Sequence, residues 1–217
     1  KGNLTTLNCP EEIMLAKQII KHHPWASMAK FTRGGGEANA VAIRIARACT
    51  KNKNVAFCGY HGWHDWYLSA NINSKKNLDQ HLMPGLNYDG IPKNLKNTSF
   101  AFPYNNFEYL LKLIKKKNIG IIKMEVMRNI EPQNNYLQKI RKICDEKKII
   151  LIFDECTSGF REHVGGLHMK YKIYPDIATF GKAMGNGYPI TGLVANEKLR
   201  KKSLKAFISS TNWSDKI

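Results

Sequence analysis

Apolar residues recur along the chain with two alternating periods. Over residues 11–22, Ile13, Ala16, Ile19 and Ile20 share one helical face. A second helix starts among residues 34–37, where Ala38, Val41, Ala42, Ile45, Ala46 and Cys49 form a 3.6-residue stripe. Residues 105–117, with Phe107, Leu110, Leu111 and Ile114 inward, and residues 134–147 read as further helices, and another follows Asn196. Between them, residues 29–32, 54–58, 98–102, 119–126, 149–153, 176–180 and 190–195 are short runs of strand character. Residues 59–97 show neither period and read as one long irregular stretch rich in aromatics, Asn and Gly. Strands joined by helical crossovers predict an α/β fold with three α/β/α layers and a mostly parallel sheet. Ligands of such sheets bind beyond the carboxyl ends of the strands.

Composition narrows the class. The 217 residues are 43% hydrophobic, enough for one core. No apolar run approaches the ~20 residues that span a bilayer, and Lys1 to Pro10 lack the apolar stretch of a signal peptide. The expected location is the cytoplasm, with no membrane partner. Five cysteines without a C-x-x-C pair argue against a zinc ribbon or a disulfide framework. The net charge of +17 raises nucleic acid as a partner. The basic residues are spread along the chain, and runs such as Lys115-Lys116-Lys117 fall at helix ends, where they complement the dipole. Nucleic acid is therefore not expected as the primary partner.

Four polar motifs fall on strand ends. Five apolar residues, 149–153, lead into Asp154-Glu155, which alone could equally cap a helix. The strand 176–180 leads into Gly181-Lys182 and a glycine-rich loop. A lysine held in a pocket can lose its charge and act as a nucleophilic amine, although a solvated loop lysine looks the same in sequence. Gly34-Gly35-Gly36-Glu37 precedes the striped helix, whose free N–H groups and dipole suit an anion. A plain tight turn would read the same. Tyr60-His61-Gly62-Trp63-His64 follows a strand, where an aromatic can stack on a flat ligand. His61 and His64 have no third metal ligand at suitable spacing, and no metal is expected. Together the motifs ask for one planar, anionic ligand with a basic ring atom that reacts with an amine. Pyridoxal 5′-phosphate (PLP) meets each requirement.

At these residues the sequence resembles the class III aminotransferases among the fold-type-I PLP enzymes, and within them the glutamate-1-semialdehyde aminomutase-like branch. The matching pieces are Gly34 to Ala38, Tyr60-His61-Gly62, Asp154 to Arg161, and Pro175-Asp176 through Gly181-Lys182 to Pro189. The resemblance implies a Schiff base on Lys182, which also shuttles a proton, and an Asp154 that keeps the pyridine nitrogen protonated. It implies phosphate contacts from Gly35 and Gly36, a Tyr60 stacked on the ring, His61 in the cofactor's surroundings, and Glu125 and Asn129 beside the phenolic oxygen. Thr211 resembles the residue that reaches the neighbouring subunit's phosphate, which implies a homodimer.

The implied function is transfer of an amino group between a small-molecule amino donor and a keto or aldehyde acceptor. The alternatives are a glutamate-1-semialdehyde 2,1-aminomutase, other PLP chemistry such as racemisation or decarboxylation, and a truncated domain without turnover. Three features depart from the family pattern. Gly34-Gly35-Gly36-Glu37 lacks the usual hydroxyl, Cys156 stands where Val is common, and Val126 where Pro is common. Arg33, Trp63 and Arg161 lie near the motifs, as substrate contacts or as structural residues. Residues 1–217 are expected to form the PLP-binding large domain, incomplete, without the family's N-terminal segment and small C-terminal domain.

Overall fold

The computed structural model describes residues 10–82 and 84–209. The helices are α1 (Pro10–Lys21), α2 (Gly35–Cys49), α3 (Asp65–Leu68), α4 (Ala70–Asn73), α5 (Phe107–Lys117), α6 (Tyr136–Lys147), α7 (Leu167–Lys170) and α8 (Glu197–Ser203). The strands are β1 (Met28–Thr32), β2 (Asn54–Cys58), β3 (Ser99–Ala101), β4 (Ile119–Glu125), β5 (Ile150–Glu155), β6 (Ile177–Phe180) and β7 (Thr191–Ala195). They form one sheet in the order β1-β7-β6-β5-β4-β2-β3. Pairing is parallel except for β7, which runs antiparallel to both β1 and β6.

The period-2 alternation of the strands divides the core into two layers. Val55 and Phe57 on β2, Ile121 on β4, Ile150 and Ile152 on β5 and Ile177 on β6 face α2, packing with Val41, Ala42, Ile45 and Ala46, while Leu199 of α8 joins the same cluster. The opposite residues, Ala56, Ile122, Met124, Leu151 and Phe153, pack with Leu110 of α5 and Ile140 and Cys144 of α6. Ala178, paired with Phe153 across the sheet, continues this second face to Ile19 of α1. Helices therefore cover both faces, as the alternation of strands and helices predicts. Because β4 and β5 lie inside the sheet, all their residues are buried.

The structure differs from the sequence reading in places with clear physical causes. Residues 59–97 are not uniformly irregular: α3, α4 and a 3-10 turn at Lys93–Leu95 lie within them. Each is four residues or shorter, too brief to display a helical period. Helix α6 begins at Tyr136 rather than at Asn134, because Asn134 and Asn135 both adopt left-handed backbone, φ 51° and 57°. Ile13, which shares the apolar face of α1 with Ile19, is exposed while Ile19 is buried. Asp154 and Glu155 are the last two residues of β5 itself, so alternation sends their side chains to opposite faces.

Candidate functional site

Five chain segments, the last contributing Thr191 of β7, meet at the carboxyl ends of β2, β5 and β6. They enclose a cavity of about 270 Å³ whose wall includes Gly35, Gly36, Tyr60, Asp154, Thr157 and Lys182. The sequence motifs carrying Gly35, Gly36, Tyr60, Asp154 and Lys182 are thus brought to one place.

The approach of α2 to the turn after β2 depends on glycine. Gly62 has φ +96°, and a Cβ there would lie 2.8 Å from Gly36 Cα. A Cβ on Gly36 would in turn meet the His64 ring at 2.8 Å. The first turn of α2 therefore reaches the cavity with its backbone bare. Gly34 caps the helix without a side-chain hydrogen bond, while Glu37 Oε2 accepts from the Arg33 N–H at 3.0 Å. The remaining first-turn N–H groups have no intrahelical acceptor, which suits an anion.

Asp154 is buried, and its acceptor capacity can be counted. Oδ2 accepts from Asn39 Nδ2 at 2.7 Å and from His61 Nδ1 at 2.8 Å. Oδ1 accepts from the Cys156 N–H at 3.0 Å. The Thr179 hydroxyl has one proton, with Asn39 Oδ1 at 2.9 Å and Asp154 Oδ1 at 3.3 Å. Given to the nearer Asn39, that proton leaves Oδ1 with an open acceptor position beside the cavity. Burial alone would raise the Asp154 pKa. The Lys123 ammonium, 3.9 Å away, the His61 hydrogen bond and the Cys156 N–H outweigh burial and hold it far below the usual carboxylate range. These partners favour Asp154 as the anion.

His61 is completely buried behind Asp154 rather than on the cavity wall; its ring meets that carboxylate, and its carbonyl oxygen accepts from Asn39 Nδ2 at 3.2 Å. Burial lowers its pKa against the pull of Asp154. Its Nε2 lies 3.1 Å from the Cys58 carbonyl oxygen. Glu155, turned to the other face, accepts from His168 Nδ1 and the His168 N–H, each at 2.8 Å, and from Ser158 Oγ. It braces the loop after β5 and takes no part in the cavity wall.

Lys182 opens the 3-10 turn after β6 with φ 47°, a conformation that disfavours most side-chain-bearing residues. Its Nζ crosses the cavity mouth to donate to Thr157 Oγ1 at 2.9 Å. Trp63 also lines the cavity, largely exposed and stacked on His64 at 4.9 Å. Arg161 Nε is held by the Thr157 carbonyl at 2.8 Å. Cys156 is buried, its thiol pKa raised well above normal by burial and by Asp154.

Glu125 and Asn129 line a neighbouring cavity of about 300 Å³ instead, with Gly59, His81 and Tyr104. Glu125 Oε2 accepts from the Tyr60 N–H at 3.2 Å, and the Arg128 guanidinium lies 5.9 Å from the centre of the Tyr60 ring. Burial raises the Glu125 pKa, against the charges of Arg128 and Lys182. Thr211 lies outside the described residues. Asn39, Thr179, Thr157 and Lys123 belong to the site although the sequence reading gave none of them a role; Thr157 and Thr179 lie within the matching segments. For Asn39 a signal existed, since it lies one turn beyond Gly36 on the same helix. Among the described residues no three His, Cys, Asp or Glu side chains gather to hold a metal ion.

The family described as "Aminotransferase class-III" matches residues 3–211. The chain is 38% identical over 204 residues to the glutamate-1-semialdehyde 2,1-aminomutase of Methanocaldococcus jannaschii, covering 89% of this chain and 47% of that protein. It is 33% identical to the 3-aminobutyryl-CoA aminotransferase of Cloacimonas acidaminovorans, covering 97% of this chain and 49% of the other. The chain thus spans about half the length of these curated relatives. Its fold matches that of the FumI protein of Sphingopyxis sp. MTA144, solved as its PLP internal aldimine form, with a TM-score of 0.82 and 24% identity over 99% of this chain and 50% of that one. By family match and identity together, the chain belongs to the class-III aminotransferases, whose cofactor is pyridoxal phosphate.

Proposed function

We propose that residues 1–217 form the cofactor-holding large domain of an enzyme that moves an amino group from a small-molecule donor to a keto or aldehyde acceptor. The observation that carries this proposal is the convergence of Lys182 Nζ and an anionic Asp154, with an open acceptor position on Oδ1, at one cavity. The residues fit PLP. A protonated ring nitrogen matches the open Oδ1, the bare N–H groups at Gly35 and Gly36 match a phosphate, and the Tyr60 ring offers an apolar wall. Bound there, PLP would serve as an electron sink for the carbon that bears the amino group.

The protein groups then have distinct tasks. Asp154 would keep the ring nitrogen protonated, and Asn39, His61 and the Cys156 N–H hold that carboxylate in place and favour its anion. Lys182 Nζ is the amine that would hold the cofactor, and the same amine is placed to carry a proton to and from the substrate carbon. Thr157 Oγ1 gives that nitrogen a resting acceptor. Glu125 acts through the Tyr60 N–H it holds, with Asn129 on the adjoining cavity. The functional unit is read as a cytoplasmic homodimer, with Thr211 of the partner subunit completing the phosphate site. No helix among the described residues is long and apolar enough to cross a membrane.

A second reading has specific support: several of the relatives are glutamate-1-semialdehyde 2,1-aminomutases, at 36–40% identity. Product analysis separates the two. A transaminase loaded with PLP transfers a nitrogen-15 label from donor to added keto acid and stalls without the acceptor. Conversion of glutamate 1-semialdehyde to 5-aminolevulinate with no acceptor present identifies the mutase. Neither reaction in a PLP-loaded sample overturns the proposed activity.

A further inference from the structure

β4 carries a charged side chain into the apolar layer beneath α2. Lys123 pairs with Phe57 on β2 and with Ile152 on β5, so it shares their face of the sheet, within the cluster that α2 covers. It is fully buried, and among the described residues its Nζ has no hydrogen-bond partner. A lysine brings three donors and no acceptor, so burying them unmade is costly unless a charge compensates. The compensating charge is Asp154, whose Oδ2 lies 3.9 Å from Nζ. The gap has a cause: both lone pairs of Oδ2 are already taken by Asn39 Nδ2 and His61 Nδ1. Lys123 is therefore an ion-pair partner without a hydrogen bond.

The other titratable groups around Lys123 come from three segments. Glu125 stands two residues along β4 on the same face, Cys156 follows β5, and His61 lies in the turn after β2. Burial lowers the pKa of Lys123 itself, and Asp154 first, then Cys156 and Glu125, pull it back up; burial likewise shifts Cys156 and His61 toward their neutral forms, and Glu125 is raised by burial and offset by Arg128. The charge of Asp154 is thus balanced from the sheet side before anything enters the cavity. A cation arriving from the cavity side must share the same carboxylate.

We propose that Lys123 is a positioning residue that tunes the cofactor from behind: its ammonium competes for Asp154 and loosens the proton on the ring nitrogen of bound PLP. This inference rests on the cofactor site proposed above. The test is a pH titration of the ring nitrogen of nitrogen-15-labelled PLP by NMR, on the full chain and on Lys123→Met and Lys123→Gln. Both variants remove the charge, but only one keeps a polar end, so either one that folds suffices. With the charge gone, the ring nitrogen should keep its proton to a pH at least about one unit higher, a tenfold change in proton affinity. A packing defect alone would not move this titration. If all the proteins hold PLP on Lys182 and the titrations coincide, the role of Lys123 is overturned while the cofactor site stands. If the wild-type chain does not hold PLP on Lys182, the cofactor site is overturned and the inference with it.

Discussion

The Asn39 side chain donates to Asp154 Oδ2 at 2.7 Å while its own Oδ1 accepts from Thr179 at 2.9 Å, so one amide ties α2 to both β5 and β6. It also keeps the Thr179 proton away from Asp154 Oδ1. Replacing Asn39 by Leu removes a hydrogen bond to a buried charge and frees Thr179 to occupy the acceptor position that faces the cavity. Stability should fall by about 2 kcal/mol, and PLP affinity by roughly tenfold. Chemical denaturation and a PLP titration check both. An unchanged affinity would mean that the Oδ1 position is not where the cofactor binds.

Glu125 gives a pH signature. Burial raises its folded-state pKa above the ordinary glutamate value, so between the two values the folded chain binds more protons than the unfolded chain. The contribution of Glu125 to stability is complete below the unfolded pKa, near 4.3, and is lost as pH rises through the folded one. Glu125→Gln still accepts from the Tyr60 N–H but does not titrate. Melting curves of the two proteins should therefore diverge as pH rises above about 4.3, with the wild type losing ground to the variant. Parallel curves across that range would contradict the raised pKa.

Gly62 tests the close packing of α2 against the turn after β2. Alanine there must adopt φ +96° and place its Cβ 2.8 Å from the Gly36 backbone. The strain should cost about 1–3 kcal/mol and displace the first turn of α2. Phosphate-dependent binding should weaken more than binding of pyridoxal, which lacks the phosphate. Equal weakening of the two ligands would place the anion elsewhere.

Much of this was legible in the sequence. The stripe from Ala38 to Cys49 located α2, and the apolar runs located the inner strands. The rule that ligands bind at carboxyl strand ends then brought Lys182 and Asp154 together. Three things were not legible, each for a physical reason. Lys123 looks in sequence like a solvent-facing break in an apolar strand, and only the covering of both sheet faces buries it. Thr179 is an ordinary polar residue whose role exists only once β5 and β6 pair, and Asn39, marked only by its place one turn beyond Gly36, gains its role when α2 packs over those strands. The opposed directions of Asp154 and Glu155 follow from alternation, but only if β5 runs through both residues rather than stopping at Phe153. Glu125, which the resemblance sets beside the phenolic oxygen, ends β4, accepts from the Tyr60 N–H and lines the neighbouring cavity.

The most direct test of the central claim is the visible absorption spectrum of the purified chain with PLP, recorded beside Lys182→Ala. The account predicts a visible band in the wild type that borohydride reduction fixes onto Lys182, that the variant lacks, and that fades when a competent amino donor is added. A folded wild-type chain with no such band, or a band that survives in Lys182→Ala, would contradict it.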